Sequence, residues 1–169
     1  MKVGFFHCWL GIYDFEVAPA CGGWRSIEMG EKIKQMALTA LNPDTVFDSL
    51  QYGFSQAVAV PAMARRLLLS GQVGVDREEN TVAPDLAGQT EQALNNIERV
   101  LAAAGGRMDQ VAMLRIYIAE SARHEQQVIA DALRARFPRN PPASSWILVS
   151  GLSLPEWLIE IEAEAVLPG

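Results

Sequence analysis

Residues 84–119, PDLAGQTEQALNNIERVLAAAGGRMDQVAMLRIYIA, decide the fold because they predict a helix followed directly by a strand. Pro84 and Asp85 favour a helix start, and Gly105 and Gly106 favour a helix end. Between them, apolar or small side chains recur every three or four residues, at Leu86, Thr90, Ala93, Ile97, Val100, Leu101 and Ala104. This spacing predicts an amphipathic helix with one face in the core.

Residues 111–119, VAMLRIYIA, follow a period of two instead of three to four. One side carries Leu114, Ile116 and Ile118, and the other side carries Arg115 and Tyr117. Successive side chains of a strand point to opposite faces, so this alternation predicts a strand with one apolar and one polar face. For Arg115 we expect an ion pair at the surface or at an interface.

The flanking sequence predicts five further elements. Two short strands, 54–60 and 67–76, are expected to pair as a hairpin, and Ser121 is expected to cap a second helix that stops before Pro138. Two final strands, 144–150 and 157–166, complete the chain. The order strand, strand, helix, strand, helix, strand, strand predicts a sheet with two helices on one face.

The other face of this sheet requires a cover. Residues 65–70, RRLLLS, and 144–150, SSWILVS, place large apolar side chains at consecutive positions, a pattern typical of strands buried on both faces. A second subunit is one possible cover. The apolar segment around Phe5, Phe6 and Trp9 is the other, and the sequence leaves both open.

Composition excludes several functional classes. The chain has 169 residues and is half apolar, which suits one domain with a sizeable core, and no run approaches the roughly 20 apolar residues of a membrane span. Cys8 and Cys21 form no metal-binding or disulfide pattern, so we expect no metal, no cofactor and a cytoplasmic protein. The net charge of −6 disfavours nucleic acid as a partner.

The charge pattern changes near residue 36. All three lysines precede it, and 10 arginines and 16 acidic residues follow it. We expect no cleaved signal, because His7 interrupts the first apolar run. Residues 1–35 are either an accessory extension or an over-long gene prediction with Met36 as the true start. We assign 1–45 to an N-terminal extension and 46–169 to the domain.

The last strand, residues 158–166 (LIEIEAEAV), places Glu160, Glu162 and Glu164 on one face. For Glu162 and Glu164 we expect a solvated strand edge. Glu160 becomes a candidate for holding or deprotonating a water molecule if that face is an interface, where a carboxylate is partly desolvated.

Six segments in register resemble the RidA family of imine and enamine deaminases, also labelled endoribonuclease L-PSP. They are FSQAV, LSGQVGVD, IERVLAAAGG, RIYIAES, PPASSW and IEIEAEA, within roughly residues 50–167. The resemblance implies a chorismate-mutase-like α+β fold with a mixed sheet, a homotrimer, and small-molecule pockets at the subunit interfaces. It agrees with the interface inferred from burial.

The resemblance also implies site residues. The family glutamate that holds the attacking water falls on Glu160, and the serine-glycine pair of the pocket falls on Ser70 and Gly71. The arginine that binds the substrate carboxylate falls on Ser144, in an arginine-lacking branch. Three other positions also depart from the family pattern, at Phe54, Ala130 and Trp146, the last partly filling the pocket.

Three functions remain open from the sequence. One is an imine or enamine hydrolase that releases ammonia from a substrate without a free carboxylate, because a buried carboxylate with no cation costs several kcal/mol. The others are a non-catalytic trimeric ligand-binding or regulatory protein and, against the charge balance, an endoribonuclease. Arg139 is an alternative source of the missing guanidinium.

Overall fold

A computed structural model describes residues 37–167 of the protein. The expectations for the signal, the two cysteines, His7 and the extension before residue 37 lie outside the described residues. Between residues 37 and 167 the strands and helices are β1 Thr39–Leu41, β2 Ala57–Ala59, β3 Arg65–Val73, α1 Leu86–Ala103, β4 Val111–Ala119, α2 Gln127–Arg136, β5 Ala143–Val149 and β6 Ile159–Leu167.

The main sheet has the strand order β3-β6-β4-β5. β6 runs antiparallel to both of its neighbours, and β4 runs parallel to β5, so the sheet is mixed as expected. The apolar sides of β4 and β6 face the core, where Ile116 and Ile161 are cross-strand partners and have no exposed surface. The α+β architecture predicted from the sequence is confirmed.

Both helices pack on that apolar face. The Asp85 side chain caps α1 by accepting a hydrogen bond of 2.9 Å from the backbone N–H of Gly88, as the predicted helix start requires. Most of the predicted core positions of α1 are buried, whereas Val100 is exposed. Side chains of α2 complete the same core, at Ile129, Ala132 and Leu133.

Two expectations about local structure are wrong. β2 pairs with β1 and not with β3, because Pro61, two residues after the end of β2, has no N–H to continue a ladder, while β3 pairs along its length with β6. Ser121 does not cap α2 either. It lies in a short 3₁₀ turn, and the helix begins six residues later at Gln127.

The face of the sheet opposite the helices is open in a single copy. Leu68 is 69% exposed and Ile147 is 38% exposed, so the described residues of one chain do not cover the apolar runs on both sides. The covering subunit expected from the sequence stays a prediction. No helix within residues 37–167 combines the length and apolar character needed to cross a bilayer.

Candidate functional site

A cavity of about 220 Å³ opens at the edge strand β5, on the side of the sheet that carries the helices. It is lined by Tyr52, Phe54, Gln126, Gln127, Ala130 and Trp146. Three of these, Phe54, Ala130 and Trp146, are positions expected from the sequence to line a pocket. The structure brings them together from three separate parts of the chain.

A short turn holds Phe54 in this place. Gly53 adopts a φ of +81°, and a Cβ there would lie 2.8 Å from the Leu133 Cβ, so a residue with a side chain would strain the turn against α2. Buried Ser55, which directly follows Phe54, donates from its backbone N–H to the Pro142 carbonyl oxygen at 2.8 Å. Phe54 is thereby fixed between α2 and the start of β5.

The aromatic rings of the cavity contact each other. The Phe54 and Trp146 ring centroids are 6.4 Å apart with planes inclined at 48°, and Tyr52 stacks on Phe54 with centroids 6.5 Å apart. These separations are within the range of favourable aromatic pairs. Trp146 therefore forms a wall of the cavity and leaves space beside it.

Ser144 stands beside this aromatic group. Its Oγ accepts a hydrogen bond of 3.0 Å from the Trp146 indole Nε1. Ser144 and Trp146 pair across the sheet with buried Leu114 and Ile116, which places both on the face with the helices. Ser144 does not itself line the cavity, but it is hydrogen-bonded to the side chain that forms a cavity wall.

Glu160 lies on the opposite, open face of the sheet. Its neighbours in β6, Ile159 and Ile161, are fully buried in the core, whereas Glu160 is half-buried and pairs across the sheet with Tyr117. Within residues 37–167 its carboxylate takes part in no hydrogen bond or ion pair. This carboxylate is available to a water molecule or a ligand.

Gly71 allows the Glu160 side chain its position. A Cβ at residue 71 would lie only 1.9 Å from the Glu160 Oε1, so any side chain there would displace the carboxylate. The register of β3 against β6 shifts between Leu69 and Gln72, and exposed Ser70 lies in the same irregularity. Ser70, Gly71 and Glu160 therefore form one group.

The expected site residues consequently fall into two groups in one chain. Phe54, Ala130, Ser144 and Trp146 lie on the helix side of the sheet, and Ser70, Gly71 and Glu160 lie on the open side. A single copy does not bring these groups together.

Two arginines neutralise the other end of the β6 acidic row. Arg115 contacts Glu164 at 2.6 Å and Glu162 at 3.7 Å, and Arg66 also pairs with Glu164. The hydrogen bond from Arg115, followed by that from Arg66, holds the pKa of the Glu164 carboxyl below its usual range. The expected ion pair of Arg115 is confirmed, and the expected solvated edge at Glu164 is wrong because its side chain is only 20% exposed.

Sequence reasoning missed Tyr52, Gln126 and Gln127. Gln126 and Gln127 precede Ala130 by four and three residues, the spacing that brings side chains to one face of a helix, so this signal was present. Arg139 is exposed in the loop before β5 and does not line the cavity. Within residues 37–167 no group of three or more His, Cys, Asp or Glu side chains is arranged to hold a metal ion.

Comparison with known proteins identifies the family. The family model described as endoribonuclease L-PSP matches residues 49–167, which is most of the chain. The chain belongs to this family, the RidA family. The match begins at Ser49, just before the aromatic turn, and continues through Glu160 to the end of β6.

Similar proteins support the same assignment. The structure of the Yersinia pestis Rid-family protein YyfB, described as a protein of unknown function, is 37% identical, with a TM-score of 0.73, and the alignment covers 78% of this chain and all of YyfB. A Mycobacterium tuberculosis member of the YjgF/YER057c/UK114 family is 26% identical, with a TM-score of 0.53, covering 78% of this chain and all of that one. Saccharomyces cerevisiae protein HMF1 is 28% identical over 100 residues, 59% of this chain and 74% of HMF1.

Proposed function

We propose that this RidA-family protein is an imine or enamine hydrolase that releases ammonia, with its site at the interfaces of a homotrimer. The observation that carries the proposal is the contrast within β6. Glu164 is bound by two arginines, whereas Glu160, over Gly71, has no cationic partner within residues 37–167. A half-buried carboxylate without an ion pair is suited to hold and deprotonate a water molecule.

Glu160 would act on the water that attacks the imine carbon. As the oxygen–carbon bond forms, the carboxylate takes one proton from the water and passes it to the nitrogen, which gives a carbinolamine. It then carries the hydroxyl proton of this intermediate to the nitrogen as the carbon–nitrogen bond breaks and the carbonyl group forms. The products are a carbonyl compound and ammonia. In this scheme Ser70 and Gly71 border the water on the same face of the sheet.

The two-sided arrangement supports a site shared by neighbouring copies. The aromatic cavity with Ser144 lies on one side of the sheet and Glu160 on the other, so one copy holds the substrate and the next supplies the carboxylate. This is also what the trimer implied by the family resemblance requires. The apolar exposure of Leu68 and Ile147 on the open face is consistent with contact between copies.

The substrate in this proposal has no free carboxylate. Ser144 occupies the position of the family arginine, and Arg115, the other nearby candidate from the sequence, is already bonded to Glu164. A substrate carboxylate would lose its hydration with no guanidinium in return, which costs several kcal/mol.

Ammonia release from a panel of imines tests the proposal, with Glu160→Gln as the inactive control. A sharper test mixes two inactive variants, Glu160→Gln and Phe54→Ala, and refolds them together. If each site takes its two halves from different copies, random mixing restores about a quarter of the wild-type activity per site. Absence of ammonia from every imine, or unchanged turnover in Glu160→Gln, contradicts the proposal. Failure to restore activity by mixing contradicts the shared site.

The second candidate is a trimeric ligand-binding protein that has lost turnover. The departures at Ser144 and Trp146 favour it, because they alter substrate-binding positions while the cavity remains. A metabolite that stays bound through purification, identified by mass spectrometry and not converted on incubation, would support this candidate. The endoribonuclease activity in the family description is disfavoured by the net charge of −6.

A further inference from the structure

We infer that the substrate of this site is a flat aryl-substituted imine, with its aromatic ring in the cavity against Phe54 and Trp146. The inference rests on the proposed function and specifies its substrate class. It follows from three properties of the cavity, namely its size and aromatic walls, its neutral hydrogen-bonding groups, and the absence of charged side chains among the residues of 37–167 that line it.

The size and walls of the cavity fit a single ring. Its volume is about 220 Å³, and an apolar cavity of about 150 Å³ is enough to admit benzene. The rings of Tyr52, Phe54 and Trp146 form its aromatic part. A fourth flat ring gains offset or edge contacts with them, which an aliphatic substituent of the same volume does not.

The polar groups of the cavity suit an uncharged ligand. The Gln126 amide nitrogen donates to the Arg123 carbonyl oxygen at 2.8 Å, and the Gln127 amide nitrogen donates to the Asp131 carboxylate at 3.2 Å. Each amide keeps its oxygen and one further N–H for a ligand, and all of these groups are neutral. They can accept from an imine N–H, but they do not supply the cation that a buried carboxylate requires.

The basic side chains near the cavity are already paired. Arg123 binds Glu120 and Arg134 binds Asp131, and neither arginine lines the cavity. The Ser144 Oγ accepts the Trp146 indole N–H, so its own hydroxyl proton remains as a neutral donor. An anion placed here would find only neutral donors in place of its hydration shell.

The corresponding reaction balances without a co-reactant. An aryl ketimine, Ar(R)C=NH, takes up one water molecule at the imine carbon and gives the aryl ketone, Ar(R)C=O, and ammonia. The oxygen–carbon bond forms from water, both water hydrogens end on nitrogen, and the carbon–nitrogen bond breaks. Glu160 of the neighbouring copy transfers both protons, as in the proposed function.

A matched pair of stable probes tests the preference for uncharged ligands. Benzamide and benzoate share one shape, but only benzamide offers N–H donors and no charge. In calorimetric titrations of the full chain, benzamide should bind at least about tenfold more tightly than benzoate. Equal binding, or tighter binding of benzoate, overturns the inference.

Two phenylalanine variants test the place of binding. Phe54→Ala should weaken benzamide binding about tenfold, because a stacking partner is lost. Met63→Ala is the control, since Met63 is 93% exposed and does not line the cavity. Its affinity should be that of wild type. If Phe54→Ala unfolds, Phe54→Leu replaces it as the test variant, because leucine keeps an apolar side chain without the ring. A Phe54 variant that is folded by circular dichroism and binds normally overturns the inference.

Turnover separates failure of this inference from failure of the proposed function. Ammonia release from acetophenone imine but not from 2-iminopropanoate supports both. Release from 2-iminopropanoate alone keeps the hydrolase and removes the aryl substrate. Release from neither imine, with benzamide still bound in the cavity, removes the hydrolase and leaves an aromatic-ligand site.

Discussion

Gln89 offers a direct test of what holds the start of β6, and therefore Glu160, in place. Its side chain is fully buried in the first turn of α1. The amide nitrogen donates to the carbonyl oxygens of Ala83 at 3.0 Å and Glu156 at 2.9 Å, and the amide oxygen accepts from the Leu158 N–H at 2.8 Å. One side chain thus joins the helix, the loop before it and the segment that enters β6.

Gln89→Leu keeps a similar volume and removes all three hydrogen bonds. An unpaired buried polar group costs about 1–3 kcal/mol. The two segments that carry the carbonyl oxygens can loosen and let water reach these oxygens, which recovers part of that free energy. We therefore expect the free energy of unfolding to fall by about 2–4 kcal/mol, a large fraction of the stability of a single domain. Gln89→Glu should cost at least as much, because its carboxylate would face two carbonyl oxygens.

Urea unfolding followed by circular dichroism measures this change, at one fixed protein concentration because assembly couples to stability. Gln127→Leu makes the same substitution at an exposed position of α2 and should change the free energy by less than about 0.5 kcal/mol. A loss below about 1 kcal/mol for Gln89→Leu, with an unchanged denaturant slope, would refute this account of Gln89.

Three further predictions concern the site and its surroundings. Gly71→Ala should cost less than about 1 kcal/mol of stability, because only the flexible Glu160 side chain must move. Ammonia release should nevertheless fall to the Glu160→Gln level. Retained turnover would contradict the importance of the close approach between Gly71 and Glu160. Glu164 stabilises the fold above its ordinary pKa of 4.5, and this contribution is lost as the pH falls through its lowered folded pKa, so Glu164→Gln should flatten the decline in stability on acidification. A wild-type slope in urea titrations of that variant between about pH 5 and 3 would argue against it. Ser144→Arg should gain affinity for pyruvate-sized acids if Trp146 leaves room, and no gain even with Trp146→Cys added would count against Ser144 as a pocket residue.

The elements with strong local signals could be predicted from the sequence. α1 and β4 were found because the three-to-four and two-residue periods decide which side is buried, and their buried faces agree with those patterns. The pairing of β2 could not be predicted, since β1 and β3 were both available partners and the selection depends on contacts distant in sequence. Ser121 has the right residue type for a cap, but a 3₁₀ turn intervenes before α2.

The sequence could name Phe54, Ala130 and Trp146 as residues of a pocket, but it could not show how the candidate residues are arranged in space. Alternation along β5 and β6 places Ser144 with Trp146 and separates Glu160 from its neighbours. Which side the helices cover depends on the assembled sheet, so the division of the site between two faces emerged only from the structure. The pairing of Glu164 with Arg66 and Arg115 joins three strands and leaves no local signal.

The hydrogen bond between Ser144 and Trp146 also couples substitutions at these two positions. An arginine at position 144 would remove the acceptor of the indole proton and would have to fit beside the large Trp146 ring. That single substitution therefore loses a contact before it can gain one. We expect the two positions to be epistatic, so natural sequences with arginine at the first position should rarely carry tryptophan at the second.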